Sequence, residues 1–106
     1  MATLSTHVLD TSRGGPAAGV PVALESATGD PLATGVTDAD GRVAPMGGEL
    51  ALGDYRLSFD TSAWFADAGV SGFYPEVVVA FTIGADEHFH VPLLLSPYGY
   101  STYRGS

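Results

Sequence analysis

Short runs in which every second residue is apolar recur along this chain, separated by clusters of Gly, Pro, Asp, Ser and Thr. Successive side chains of an extended chain leave on opposite faces, so this alternation marks half-buried strands. Leu4 to Asp10 is the first run, and Thr11-Ser12-Arg13-Gly14-Gly15-Pro16 closes it with turn residues. Val20, Val22 and Leu24 alternate with Pro21, Ala23 and Glu25; Thr28-Gly29-Asp30-Pro31 turns the chain, Leu32 to Thr37 forms the next strand, and Asp38-Ala39-Asp40-Gly41 turns it again. A brief strand from Arg42 to Ala44 ends at Pro45 and the pair Gly47-Gly48, after which Tyr55, Leu57 and Phe59 set the face of a further strand. Asp60, Thr61 or Ser62 can cap one short helix that runs through Ala68 and stops at Gly69. Glu76 to Ile83, His88 to Leu95 and Tyr98 to Arg104 complete the set. About eight short strands with regular turns predict an all-β fold, an antiparallel two-sheet sandwich carrying one short helix.

Length and composition narrow the reading. The 106 residues fit one domain, 1–106, large enough to bury about two-thirds of its surface around a single core. The chain has no cysteine, which removes disulfides and thiolate zinc sites from consideration. Its first residues lack the basic start and apolar run of a secretory signal, and no apolar run approaches the roughly 20 residues of a membrane span, so a cytoplasmic protein is expected. Charge says more. Twelve acids stand against four cations, all arginine (Arg13, Arg42, Arg56 and Arg104), for a net charge of -8. A chain this acidic repels nucleic-acid phosphates and anionic membranes, so neither is expected as a partner. A carbonyl-rich or anionic small molecule would have to be held by a few placed arginines.

The candidate chemistry gathers at histidines. His88 and His90 are two apart in one strand and share a face with Pro92 and Leu94, whereas Phe89, Val91, Leu93 and Leu95 form the opposite, core-facing set. The pair is therefore displayed away from the core. His7 shares a face with Ser5 and Leu9, opposite Leu4, Thr6 and Val8, and parity alone does not say which of these faces is inward. Two histidines on a strand plus a distant third also make a zinc-ligand pattern with an open position suited to hydrolysis. The Asp38-Ala39-Asp40-Gly41-Arg42 segment does not fit a calcium loop, because the sixth position, counted from Asp38, is Val43 where glycine is required. It reads instead as an Asp-Gly turn that presents Arg42, whose guanidinium can clamp a planar carbonyl-rich ligand. No Ser-His-Asp or Gly-x-Ser-x-Gly signature and no phosphate-cradling glycine loop is present.

LSTHVLD at Leu4 to Asp10, GVPVALE at Gly19 to Glu25, TDADGR at Thr37 to Arg42, FYPEV at Phe73 to Val77 and the closing HFHVPLLLSPYGYSTYRGS resemble, in order, the 5-hydroxyisourate hydrolases, the transthyretin-related enzymes of urate breakdown. The most specific of these marks is the terminal Tyr103-Arg104-Gly105-Ser106. The resemblance implies a transthyretin-like eight-stranded sandwich. Its first, fourth, seventh and eighth strands would face a partner dimer across a channel in a homotetramer, with the sites at the dimer-dimer interface. It implies hydrolysis of a purine-derived substrate, 5-hydroxyisourate, to the ring-opened carboxy-ureidoimidazoline, with water as nucleophile and neither cofactor nor metal. His7, Arg42, His90 and Ser106 are the implied catalytic residues. Ser101, Tyr103, Arg104 and Gly105 are the implied substrate-binding residues, with Tyr103 filling depth that transthyretin leaves open, and His88 is a supporting residue. The alternatives are a transthyretin-like small-molecule carrier, a zinc hydrolase using the three histidines, and a purely structural sandwich module.

Overall fold

The computed structural model describes residues 1–105. Nine strands and one helix follow in the order β1 (Thr3–Asp10), β2 (Gly15–Pro16), β3 (Pro21–Ser26), β4 (Pro31–Val36), β5 (Arg42–Val43), β6 (Gly53–Phe59), α1 (Thr61–Ala68), β7 (Val77–Ile83), β8 (His88–Ser96) and β9 (Gly99–Thr102). They form two sheets. One has the order β2-β1-β8-β9 with β5 also paired to β1, and the other has the order β4-β3-β6-β7. The sheet expected to carry the site, made of the first, fourth, seventh and eighth predicted strands, is therefore the β1/β5/β8/β9 sheet.

Alternation decides which faces meet. Leu4 and Val8 of β1, Leu93 and Leu95 of β8, Leu24 of β3 and Leu57 and Phe59 of β6 are fully buried between the sheets, with Met46 and Val20 filling from the loops. Thr6 lies on this inward face too, and its hydroxyl donates to the Val91 carbonyl (2.7 Å), so no polar group is left unpaired there. That placement resolves the parity question of β1: Leu4, Thr6 and Val8 point inward, and Ser5 and His7 point out. The helix begins where Asp60 accepts a hydrogen bond from the Ala63 N–H (3.0 Å), ends at Gly69, and buries Thr61, Trp64 and Phe65.

Two features depart from a simple antiparallel meander. Gly15–Pro16 pairs with Leu9 and Asp10, so the predicted turn after β1 contains a two-residue strand of its own. More consequential, β1 and β8 run parallel, in a register that sets Thr3 opposite His88, Ser5 opposite His90 and His7 opposite Pro92. Parallel neighbours need a long crossover, and most of the chain lies between these two strands. Pro92 costs little here, because pairing with β9 stops at Leu93 opposite Thr102, and the Pro92 carbonyl accepts the Thr102 hydroxyl (2.7 Å).

The Asp38–Arg42 turn fixes β5 against β1, with Arg42 opposite His7. Asp38 Oδ1 accepts the Asp40 and Arg42 N–H groups (2.9 and 3.0 Å), and the Val8 N–H donates to the Gly41 carbonyl (2.7 Å). Gly41 has φ +77°, and a Cβ built on it would come within 2.4 Å of the Val8 carbonyl oxygen. Gly41→Ala should therefore destabilise the protein by roughly 1–3 kcal/mol, through left-handed strain and a backbone clash together. An unchanged thermal midpoint would show that the turn adapts without cost.

Candidate active site

The outward face of β1, β5 and β8 collects the polar chemistry of the chain. His7 and His90 have ring centroids 6.4 Å apart. They come from adjacent parallel strands, two residue pairs out of step, with Arg42 directly across from His7. Arg42 makes no ion pair among the described residues. Its guanidinium is thus an uncommitted cation beside two imidazoles.

The two histidines are held differently. Nε2 of His7 lies 2.8 Å from the Asp40 carbonyl oxygen. A carbonyl only accepts, so in the neutral ring Nε2 carries the proton and Nδ1 bears the lone pair. The turn that presents Arg42 therefore also sets the tautomer of His7. His90 instead turns Nδ1 to the Ser5 hydroxyl (2.7 Å), leaving Nε2 without a partner among the described residues. Ser5 is buried under the β8 histidines, and its oxygen also meets Nε2 of His88 (2.9 Å). His88 is in turn held at Nδ1 by the Thr3 hydroxyl (2.7 Å).

Burial holds the His90 pKa below the 6.5 of a free histidine, and the positive charge of Arg42 and the neighbouring His7 and His88 push it the same way; a hydrogen bond with Ser5 opposes them. His90 is thereby kept neutral and available as a proton acceptor at neutral pH.

The terminal segment contributes unevenly. Gly105 donates its N–H to the His90 carbonyl (2.8 Å), and a Cβ on Gly105 would fall 2.6 Å from His90 Cδ2, so this glycine lets the chain end lie directly against the imidazole. Ser101 lies opposite Leu94, on the outward face but farther along β8. Tyr103 lies past the end of β9 with 56% of its surface exposed. Arg104 is not brought to the cluster: it pairs with Glu87, and its guanidinium lies 4.3 Å from the centre of the Phe89 ring. Phe89 belongs to the inward set of β8, opposite in parity to His90. Ser106 lies outside the described residues. An apolar hollow of about 290 Å³ beside Phe81, Phe89, Val91, Thr102, Tyr103 and Arg104 includes none of His7, Arg42 and His90. We take the chemistry to lie on the open outward face, where the titratable groups are.

The zinc arrangement that three histidines suggest is not formed. Among the described residues no three His, Asp or Glu side chains gather to hold a metal ion, and the Ser5 hydroxyl sits between His88 and His90. Nothing in the sequence marks Ser5 and Thr3 as site residues, since single hydroxyls in a first strand carry no signal until the partner strand and its register are known.

A model of the transthyretin family, described as HIUase/Transthyretin, matches residues 4–105. The 5-hydroxyisourate hydrolase of Salmonella dublin is 50% identical over 109 residues, covering 97% of this chain and 80% of that one. The structure of Klebsiella pneumoniae 5-hydroxyisourate hydrolase superposes with a TM-score of 0.93 at 50% identity, covering 100% of both chains. Sea bream transthyretin, solved in complex with thyroxine, superposes with a TM-score of 0.88 at 34% identity, covering 96% of this chain and 93% of that one.

The depressed His90 pKa has two measurable consequences. The folded state takes up this proton at lower pH than the unfolded state, so the group's contribution to stability is complete above 6.5 and is lost as pH falls through the folded value. In an NMR titration His90 should titrate below 6.5, and Arg42→Gln should raise its midpoint part of the way back, since burial remains. A His90 midpoint at or above 6.5, or one indifferent to Arg42, would contradict this electrostatic picture.

Proposed function

The chain belongs to the HIUase/transthyretin family, and from that membership and its site we infer what it does: it hydrolyses 5-hydroxyisourate, the unstable purine derivative of urate breakdown. The mechanism we propose rests on one observation, that His7 and His90 face outward with ring centroids 6.4 Å apart, each with an uncommitted ring nitrogen, on a face where Arg42 stands opposite His7. Hydrolysing a ring amide with water requires a base for the water, a cation or N–H donor for the oxyanion, and a proton for the departing nitrogen. His7 fits the first and last tasks. Its Nδ1 lone pair takes a proton from water, the imidazolium so formed is stabilised by the Asp40 carbonyl on Nε2, and that proton goes back to the leaving ring nitrogen. Arg42 orients the substrate carbonyl and meets the negative charge that develops on its oxygen. His90, kept neutral, receives the remaining proton of the attacking water, which ionises away when the new carboxyl forms.

In this reading Gly105 supports His90, Ser101 and Tyr103 serve substrate binding, and Ser106 takes part in catalysis by family likeness alone, whereas Arg104, paired with Glu87, is given no part in it. We propose further that the enzyme works as a homotetramer, a dimer of dimers with its sites at the dimer-dimer interface. His7, Arg42 and His90 lie on the outward face of one sheet, so an opposing copy would supply the walls that exclude water. β7 and β9 each end a sheet, and such unpaired edges beside an apolar hollow suit edge-to-edge association. Among the described residues no helix is long and apolar enough to cross a membrane, and we propose the cytoplasm as its location.

Freshly generated 5-hydroxyisourate, followed by its ultraviolet decay, tests this reading: the protein should accelerate the decay well beyond the spontaneous rate. His7→Asn and His90→Asn should each lower kcat by about a hundredfold or more, and Arg42→Gln should cost a comparable factor. Gly105→Ala should lower activity while leaving thermal stability nearly intact, because the added methyl group displaces the His90 ring. Decay no faster than in buffer would sink the assignment, and near-normal rates in the folded single variants would sink the residue roles.

A further inference from the structure

Granting that hydrolytic reading, one proton must leave the site in every turnover. A neutral ring amide and one water give a carboxylate, an N–H group and one free proton at neutral pH. His7 cannot export it, because its second ring nitrogen ends on a backbone carbonyl, which accepts hydrogen bonds and passes nothing on. His90 has an onward connection. Its Nδ1 meets the Ser5 hydroxyl at 2.7 Å, that hydroxyl meets His88 Nε2 at 2.9 Å, and His88 Nδ1 meets the Thr3 hydroxyl at 2.7 Å. Every link is within hydrogen-bonding distance and every group both donates and accepts. The line runs from a half-buried imidazole, through a buried hydroxyl, to an exposed imidazole and then to solvent.

We propose that Ser5, His88 and Thr3 form a proton relay that carries the product proton from His90 to bulk water. At rest, His90 Nδ1–H donates to Ser5, the Ser5 hydroxyl donates to His88 Nε2, and His88 Nδ1–H donates to Thr3. When His90 Nε2 accepts the carboxyl proton, the Nδ1 proton moves to Ser5 oxygen, the Ser5 proton to His88 Nε2, the His88 Nδ1 proton to Thr3 oxygen, and the Thr3 proton to water. One proton enters, one leaves, and no group ends with a net charge. After product departs, Nε2 gives its proton to the water that refills the pocket while a solvent proton returns through Thr3, His88 and Ser5 to Nδ1, which restores the resting tautomers; the relay thus discharges the proton while product still fills the pocket. The charged and titratable groups facing His90 are Arg42, His7 and His88; all three oppose a lasting positive charge there, which favours passing the proton on over storing it.

The relay explains why two histidines stand two apart on β8. His90 alone would serve as an acceptor, but behind its Nδ1 lies a buried hydroxyl, and the exposed His88 is what continues the line from there. Parallel pairing with β1 then supplies the hydroxyls, because Thr3 and Ser5 are the residues directly opposite the two histidines.

The test uses full-length protein and 5-hydroxyisourate in a dilute buffer that transfers protons poorly. His88→Ala, at an exposed position, should lower kcat about tenfold, less than the hundredfold or more that a group at the reacting centre contributes because His90 still accepts the proton, with little change in KM. Added imidazole should restore it, by accepting the proton in place of the missing ring. Ser5→Ala should show a similar loss, and the double variant should lose no more than the worse single one, since the groups act in series. Wild-type kcat in His88→Ala, a loss that imidazole leaves untouched, or additive losses in the double variant would each overturn the relay while leaving the hydrolase reading in place. A wild-type protein that leaves the spontaneous decay unchanged would remove both.

Discussion

The parallel pairing of β1 with β8 is the constraint on which the site depends. The two strands are joined by nearly the whole chain, so no tight turn sets their register; the inward faces do. Leu4, Thr6 and Val8 must interleave with Phe89, Val91, Leu93 and Leu95 against the second sheet. A slip by one residue would turn Thr6 out and His7 into the core. Once that packing is satisfied, the opposite parity positions follow without further choice: Ser5 beside His90, Thr3 beside His88, and His7 two pairs along. The hydrophobic core thus determines the hydrogen-bond pattern of the polar face.

A second layer of control comes from the Asp38–Arg42 turn. Asp38 ties down two backbone N–H groups, Gly41 makes the close approach to β1, and Arg42 and the Asp40 carbonyl are delivered together. One turn therefore provides both the cation and the group that fixes which nitrogen of His7 bears the lone pair. The consequence is an asymmetry between imidazoles of the same intrinsic basicity: His7 is closed behind by a carbonyl, and His90 is continued behind by a hydroxyl.

Much of this was legible in the chain and some was not, for physical reasons. Period-2 alternation placed every long strand and the inward face of β8, and the capping residues placed the helix, because these signals are local. The direction of His7 was not readable, since Ser5 and Thr6 are both small and polar; the full burial of Leu4, Thr6 and Val8, with the Thr6 hydroxyl paired to Val91, shows which set is inside. The pairing of Ser5 with His90 needs a contact between strands more than eighty residues apart, which local pattern does not encode. Arg104 marks another boundary: strand parity ends at Thr102, and beyond it the Glu87 carboxylate and the Phe89 ring decide where the guanidinium goes. The membership of Arg42, His7 and His90 in one site came from likeness to a family, and the geometry then gave each histidine its own surroundings.

The claim at the centre of this account is that the two imidazoles are made unequal by what stands behind them. Histidine side-chain nitrogen-15 spectra of the wild-type protein near neutral pH address it directly. For His7 the account predicts a single neutral tautomer, with a protonated, pyrrole-like Nε2 and a pyridine-like Nδ1. A His7 ring protonated at Nδ1, or one averaging freely between tautomers, would contradict it.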